Sequence, residues 1–238
     1  MSSVGRMKLV GNLVCNIAIF LIALYAINTP ATAQNLINSL TVLDTYLKST
    51  QSGKADFTQV VTSPAKTNPN TDEKTIPKVK TSTGTFEFVR PNRFKFSYKK
   101  PFEQTIVADG TTLWLYDLDL NQVTAKKQSQ TLGSTPAALI ASAPNLKALE
   151  AQFKLQNAPD ADGLQWVLAS PKQADGQIQS IKVGLKTGSD KSVSLSVLEI
   201  LDSFGQHSRM TFSNAQLNPK FAPDTFKFIP PAGVDVIR

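Results

Sequence analysis

Cysteine and histidine are nearly missing from this sequence. Cys15 is the only cysteine in 238 residues, and His207 is the only histidine. With so few, Cys/His nucleophilic sites and tetrahedral zinc sites are excluded. A Ser-His-Asp triad would need His207, which sits in the polar, strand-like run Gln206-His207-Ser208-Arg209 and reads as an exposed strand histidine. No phosphate-cradling glycine loop is present. Asp117 and Asp119 could pose as a glycosidase-type carboxylate pair, but Asp-Leu-Asp-Leu-Asn reads more simply as a polar turn. Basic residues are scattered rather than gathered along one element, which argues against nucleic acid. The expectation is therefore a non-enzyme without metal or cofactor.

The first residues are not expected to belong to the fold. Arg6 and Lys8 precede an apolar run from Leu9 to Ile27, and Pro30-Ala31-Thr32-Ala33 follows. That order of charged, greasy and small residues is a secretory signal, with cleavage expected after Ala33. The rival reading is an uncleaved anchor; Asn12 and Asn16 inside the run, and the Ala-Thr-Ala exit, favour cleavage. Residues 34–238 then form one domain without a cysteine, held by its core alone. Cys15 lies too early for a lipidated mature N-terminus, so the product is expected to be soluble outside the cytoplasm. The leader holds two positive charges and no acid, which lowers the formal net charge from +7 to +5. A modest basic excess of that size suits an anionic surface or an acidic partner without demanding one.

Along the remainder, Leu36, Leu40, Leu43 and Leu47 form one apolar stripe, so 35–52 reads as a helix stopped by Gly53. From Lys54 onward the period changes to two, and Asp56-Phe57-Thr58-Gln59-Val60-Val61 begins a strand. Residues 62–83 are rich in Pro, Thr, Lys and Asn and read as a long solvated loop. Asp109-Gly110 suggests a hairpin with a type I′ turn. Asp162-Gly163, Asp175-Gly176, Gly188-Ser189-Asp190 and Phe204-Gly205 are further turn signals. Short apolar strands lie between them, at Trp166–Leu168, Ile181–Leu185, Val193–Ile200 and Met210–Phe212. The pattern is an antiparallel meander, curled or closed. It is interrupted once, where Ser134-Thr135-Pro136 leads into a helix over Ala137–Ser142; Pro144 breaks that helix, and Leu146 and Leu149 suggest another short one. The fold class is α+β: one large antiparallel sheet that buries the apolar stripe of a few short helices.

Aromatic residues make up only 8% of the chain, yet the stretch GTFEFVRPNRFKFSYKKP at 84–101 holds five. Phe86, Phe88, Phe94, Phe96 and Tyr98 fall on alternate positions of two strand-like segments, with Arg90 and Arg93 at the join. A single strand phenylalanine is ordinarily core. A curled sheet covered only by short helices has a concave side wider than they can fill, and such a face suits an apolar ligand.

That segment, Gly84-x-Phe86-x-Phe88-x-Arg90-Pro91-x-x-Phe94-x-Phe96, resembles the signature of the LolA family of periplasmic outer-membrane lipoprotein carriers. The likeness continues in order through Asp56-Phe57-Thr58-Gln59, Asp109-Gly110-x-x-Leu113-Trp114-x-Tyr116-Asp117, Gln122-Val123-Thr124 and Thr135-Pro136-Ala137-Ala138-Leu139-Ile140. It closes with Phe226-Lys227-Phe228-Ile229-Pro230-Pro231-x-Gly233-Val234-Asp235-Val236. It departs at the long stretch 62–83, and over 155–200 it extends only to the turns. The resemblance implies a single antiparallel unclosed β-barrel with short helices forming a lid over a hydrophobic cavity. It implies a monomeric periplasmic carrier that accepts acylated lipoproteins from an inner-membrane ABC transporter and delivers them to an outer-membrane receptor, LolB or an equivalent. The acyl-chain cavity is expected to draw on Phe86, Phe88, Phe94, Phe96, Trp114, Leu139 and Ile140, with Arg90 as a latch on the lid. The alternative is a lipid- or lipoprotein-sensing regulator on the same half-barrel.

Overall fold

Asn38 starts the first helix, α1 (Ser39–Ser49), by accepting the Leu40 N–H on its side chain at 3.0 Å. The computed structural model describes residues 38–65, 76–131, 143–173 and 177–238. Within α1, Leu43 and Leu47 are fully buried beside Val42 and Tyr46, and Leu40 is half-buried. Leu40, Leu43 and Leu47 thus form the expected stripe and Leu36 lies outside the described residues, but the helix ends four residues before Gly53. Thr50 is already extended and closes the last turn by donating its N–H to the Tyr46 carbonyl at 3.0 Å. Gly53 lies in a strand, where a Cβ would stand 2.3 Å from the Phe88 ring.

Twelve strands follow and form one sheet. They are β1 (Ser52–Ser63), β2 (Lys78–Val89), β3 (Arg93–Lys100), β4 (Gln104–Ala108), β5 (Thr112–Asp117), β6 (Gln122–Lys127), β7 (Phe153–Ala161), β8 (Leu164–Pro171), β9 (Ile178–Thr187), β10 (Val193–Asp202), β11 (His207–Leu217) and β12 (Asp235–Ile237). In space the order is β12-β6-β5-β4-β3-β2-β1-β11-β10-β9-β8-β7. Two antiparallel meanders, β2–β6 and β7–β11, are joined by β1, which pairs with β2 on one side and β11 on the other. The exception to antiparallel pairing is β12, which runs parallel to β6. The sheet is open, with β12 and β7 at its edges. The other described helices, α2 (Gln128–Thr131) and α3 (Leu146–Gln152), are shorter than α1, so the architecture is mostly β rather than an even α+β mixture.

Two expectations need correcting. The stretch 62–83 is sheet at both ends: β1 continues to Ser63, β2 begins at Lys78, and Thr62 pairs with Val79, while residues 66–75 lie outside the described residues. Backbone hydrogen bonds hold that ladder without large apolar side chains, so its polar composition misled. At Asp109-Gly110 only Gly110 is left-handed, at φ +107°, and three residues connect the strands. Asp109 holds the loop with its side chain instead, accepting the N–H groups of Thr111 and Thr112 at 2.8 Å. Asp162-Gly163 does take both positive φ angles, 56° and 72°, in the two-residue turn from β7 to β8.

One face of the sheet carries the core. Phe57 from β1, Phe86 and Phe88 from β2, Ile181 and Val183 from β9, and Leu198 from β10 join the buried side chains of α1 and Leu149 of α3 in one cluster.

Candidate functional site

Cross-strand register fixes which way the aromatic segment points. Phe86 lies opposite Phe96, Phe88 opposite Phe94, and Gly84 opposite Tyr98, so all five rings share one face. Phe86 and Phe96 stack with centroids 4.3 Å apart, and Phe57 meets Phe96 and Tyr98 edge-on at 5.7 and 4.9 Å. The five expected aromatic side chains are therefore brought together, and the four phenylalanines are buried.

Trp114 is a correction. It pairs with Val107, which pairs with Lys95, and these belong to the opposite face from Phe94 and Phe96. There its ring lies 5.5 Å from Phe228 of the C-terminal segment, and its Nε1 donates to Asp109 at 2.9 Å. The strand period separated two sets of side chains, but only the register says that Leu113, not Trp114, faces the aromatic cluster. Leu139 and Ile140, with the helix expected over 137–142, lie outside the described residues.

Among the described residues the four phenylalanines are closely packed, each 4% exposed or less. Between Tyr46, Gly53, Phe86, Phe88, Leu195 and Phe212 there is a void of about 20 Å³. That is room on the order of one water.

Arg90 stands at the end of this face, just past β2, and is only 7% exposed. Its Nε donates to the Thr50 carbonyl at 2.7 Å, and its Nη1 donates to the Ala143 carbonyl. The guanidinium carbon lies 5.2 Å from the Tyr46 ring centre and 5.1 Å from that of Phe88. One cation thus ties the C-terminal end of α1 to the residue that enters the Pro144 break before α3. Burial pushes the Arg90 pKa down, with the nearby Tyr46 hydroxyl opposing that; the carbonyls and ring faces are what such a charge needs. Burial in turn raises the Tyr46 phenol to about 12, against the opposing pull of the guanidinium.

Sequence reasoning passed over two residues here. Tyr46 occupies the helical position three beyond Leu43, so its place on the buried stripe was readable. Gln128 is buried, donating to the Asn92 carbonyl at 2.6 Å and accepting from the Gly110 N–H at 3.0 Å. It fastens the β2–β3 turn that carries Arg90 to the β4–β5 turn. No local pattern announces that role.

Among the described residues no cluster of His, Cys, Asp or Glu is arranged to hold a metal. Asp117 accepts the Leu120 N–H at 3.1 Å in a turn.

The family described as "Outer membrane lipoprotein carrier protein LolA" matches residues 48–229. An outer-membrane lipoprotein carrier protein of Albidiferax ferrireducens is 61% identical over 196 residues, covering 82% of this chain and 89% of its own. One of Neisseria meningitidis serogroup B is 42% identical over 160 residues, covering 67% and 73%. Among solved structures, a LolA superfamily protein from Nitrosomonas europaea aligns with 81% of this chain and 98% of its own, at 11% identity and a TM-score of 0.45. With a family match over most of its length and a relative this similar, the chain belongs to the LolA family of outer-membrane lipoprotein carriers, which are periplasmic and non-enzymatic.

Proposed function

We propose that the protein accepts acylated lipoproteins from an inner-membrane ABC transporter, shields their acyl chains against Phe86, Phe88, Phe94 and Phe96, and delivers them to an outer-membrane receptor, LolB or an equivalent. On this reading residues 1–33 are a signal peptide removed after Ala33, and the working form is a monomer. The sheet acts as an unclosed barrel, and α1 with the segment from Ala143 through α3 acts as its movable cover. Arg90 is the latch.

Physical need argues for such a carrier. Three acyl chains carry about forty methylenes, each worth roughly 0.8 kcal/mol on leaving water. Tens of kcal/mol forbid free passage through an aqueous compartment. The carrier must also let go, and a permanently open greasy cavity would be a trap. A cavity whose own helices fill it when empty solves both problems, because cargo and cover compete for one surface.

The observation that carries this reading is the Arg90 guanidinium spanning the Thr50 and Ala143 carbonyls at the end of the buried aromatic face. A single buried cation holds two separate covering segments, so losing it frees both at once. The test is to isolate the exported protein and identify co-purifying acylated material by mass spectrometry, then follow transfer from inner-membrane vesicles to acceptor-bearing membranes. Exported protein that retains no acylated cargo and moves none between the membranes sinks the reading.

A further inference from the structure

Eight large apolar side chains are exposed among the described residues, and six of them gather at one end of the sheet: Ile76, Val79, Phe102, Leu118, Leu120 and Phe204. Antiparallel pairing brings them there. The start of β2, the end of β3, the β5–β6 connection and the β10–β11 turn all lie at the end of the sheet away from Arg90. A cleft of about 490 Å³ opens at this end, with Val61, Phe102 and Leu120 as apolar walls and Lys80, Asp117 and Asp119 as charged ones.

Gln59 and Tyr98 also line the cleft. On the other side of Tyr98 lie Phe57 and Phe96, at 4.9 and 6.3 Å between ring centroids. The partition between the wet cleft and the aromatic interior is therefore one side chain thick. It is hydrogen-bonded: the Tyr98 hydroxyl donates to Gln59 Oε1 at 3.0 Å, and Gln59 Nε2 donates to Ser208 Oγ at 2.9 Å.

We propose that this cleft is the port through which acyl chains enter the interior, and that the Tyr98–Gln59 hydrogen bond is its gate. The inference rests on the reading that the aromatic face takes acyl chains. The occupant follows from continuity: the apolar walls Val61, Phe102 and Leu120 lead to a partition whose far side is the phenylalanine cluster. A lipid has the matching polarity, with a polar head to stay among Lys80, Asp117 and Asp119 while its chains pass inward. Opening is cheap at this position. When Tyr98 swings away, its hydroxyl and the Gln59 amide both turn into a cleft open to solvent, so neither is left buried without a partner. Arg90 has no such escape, which makes the two ends of the aromatic face unequal: one is fastened and the other yields.

The experiment uses the exported protein, which on this reading has lost Cys15 with the leader and has no cysteine of its own. Phe102→Cys, Leu120→Cys and, as a remote control on the C-terminal segment, Ile229→Cys are each labelled with an environment-sensitive fluorophore. A synthetic triacylated cysteine lipopeptide and its deacylated peptide are the probes. Binding itself is read independently, as a stoichiometric adduct in native mass spectrometry. The expected result is a blue shift at positions 102 and 120 with the lipopeptide alone, and none at 229. Tyr98→Phe should form the adduct about two- to tenfold faster, the range expected for one lost hydrogen bond. If the adduct forms while 102 and 120 stay silent, or at an unchanged rate in Tyr98→Phe, the port is overturned and the carrier reading stands. Equal shifts with the deacylated peptide would make the cleft a peptide surface, and concentration-dependent self-association would make it a dimer contact; either overturns the proposal. No adduct in any variant overturns the port and the carrier reading together.

Discussion

Arg90 contacts α1 twice: its guanidinium lies over the Tyr46 ring, and its Nε holds the carbonyl of Thr50, the residue that caps the same helix. A cation at a helix C-terminus meets the negative end of the helix dipole. The third attachment, to Ala143, belongs to a different part of the chain.

Replacing this cation should therefore separate the two halves of transport. Arg90→Leu keeps an apolar stem but leaves the Thr50 and Ala143 carbonyls without a donor. A charge-assisted bond is worth about 1.5–3 kcal/mol, a shift of roughly ten- to hundredfold in opening. Uptake from inner-membrane vesicles should persist, while delivery to acceptor membranes falls by that order. Arg90→Lys should be intermediate, because one ammonium cannot reproduce the planar fork. Equal losses at both steps, or none at either, would show that Arg90 is no latch.

Phe94 has no exposed surface at all. Phe94→Glu would put a carboxylate into the aromatic cluster at a cost of several kcal/mol. The expected outcome is a retained strand signature in circular dichroism, a lowered Tm and defective loading or release. Phe94→Leu, which stays apolar, should transport. Normal transfer by the Glu variant would place Phe94 outside the working surface.

What could be read in advance was whatever repeats locally. Alternate aromatics at 86–98 gave two strands, and leucines at helical spacing gave α1. What could not be read depends on partners far along the chain. Arg90 finds its acceptors 40 and 53 residues away, and nothing near position 90 encodes Thr50 or Ala143. Trp114 alternates with Leu113 and Leu115 as any strand residue does. Its face is set by the register through Val107 and Lys95, and the ring that meets it there, Phe228, lies more than a hundred residues later. The β1–β2 extension was missed because a ladder of Thr, Ser and Lys side chains has no apolar period to betray it.

Gly84 is where two strands and a ring converge. A Cβ there would stand 2.1 Å from the Ser97 carbonyl oxygen and 2.9 Å from the Phe57 ring. The ring could shift, but the neighbouring backbone cannot without breaking the β2–β3 ladder. Gly84→Ala should cost about 1–3 kcal/mol, seen in thermal denaturation as a Tm fall of roughly 3–10 °C.

Stability should also decline in alkali for an identifiable reason. Burial pushes the Tyr46 and Tyr98 phenols from 10.0 up to about 12. Folding thus binds these protons more tightly than the unfolded chain does. Their stabilisation is whole below about pH 10 and is lost as pH rises toward 12, with Tyr46 contributing about 2–3 kcal/mol. Denaturant midpoints measured across that range should fall, and Tyr46→Phe should flatten the decline. A variant that loses stability in parallel with the parent would show that Tyr46 is not its source.

The central position of β1 bears on when the protein can fold at all. Residues 52–63 are made early, yet one of their two neighbours is residues 207–217. A chain emerging from its N-terminus must carry β1 with one edge bare until nearly its last residues have appeared. Contacts so distant in sequence are slow to form. For a protein that works beyond the inner membrane, that delay is useful: the sheet cannot be completed before the chain is nearly finished, which leaves time for a still-extended polypeptide to be threaded across.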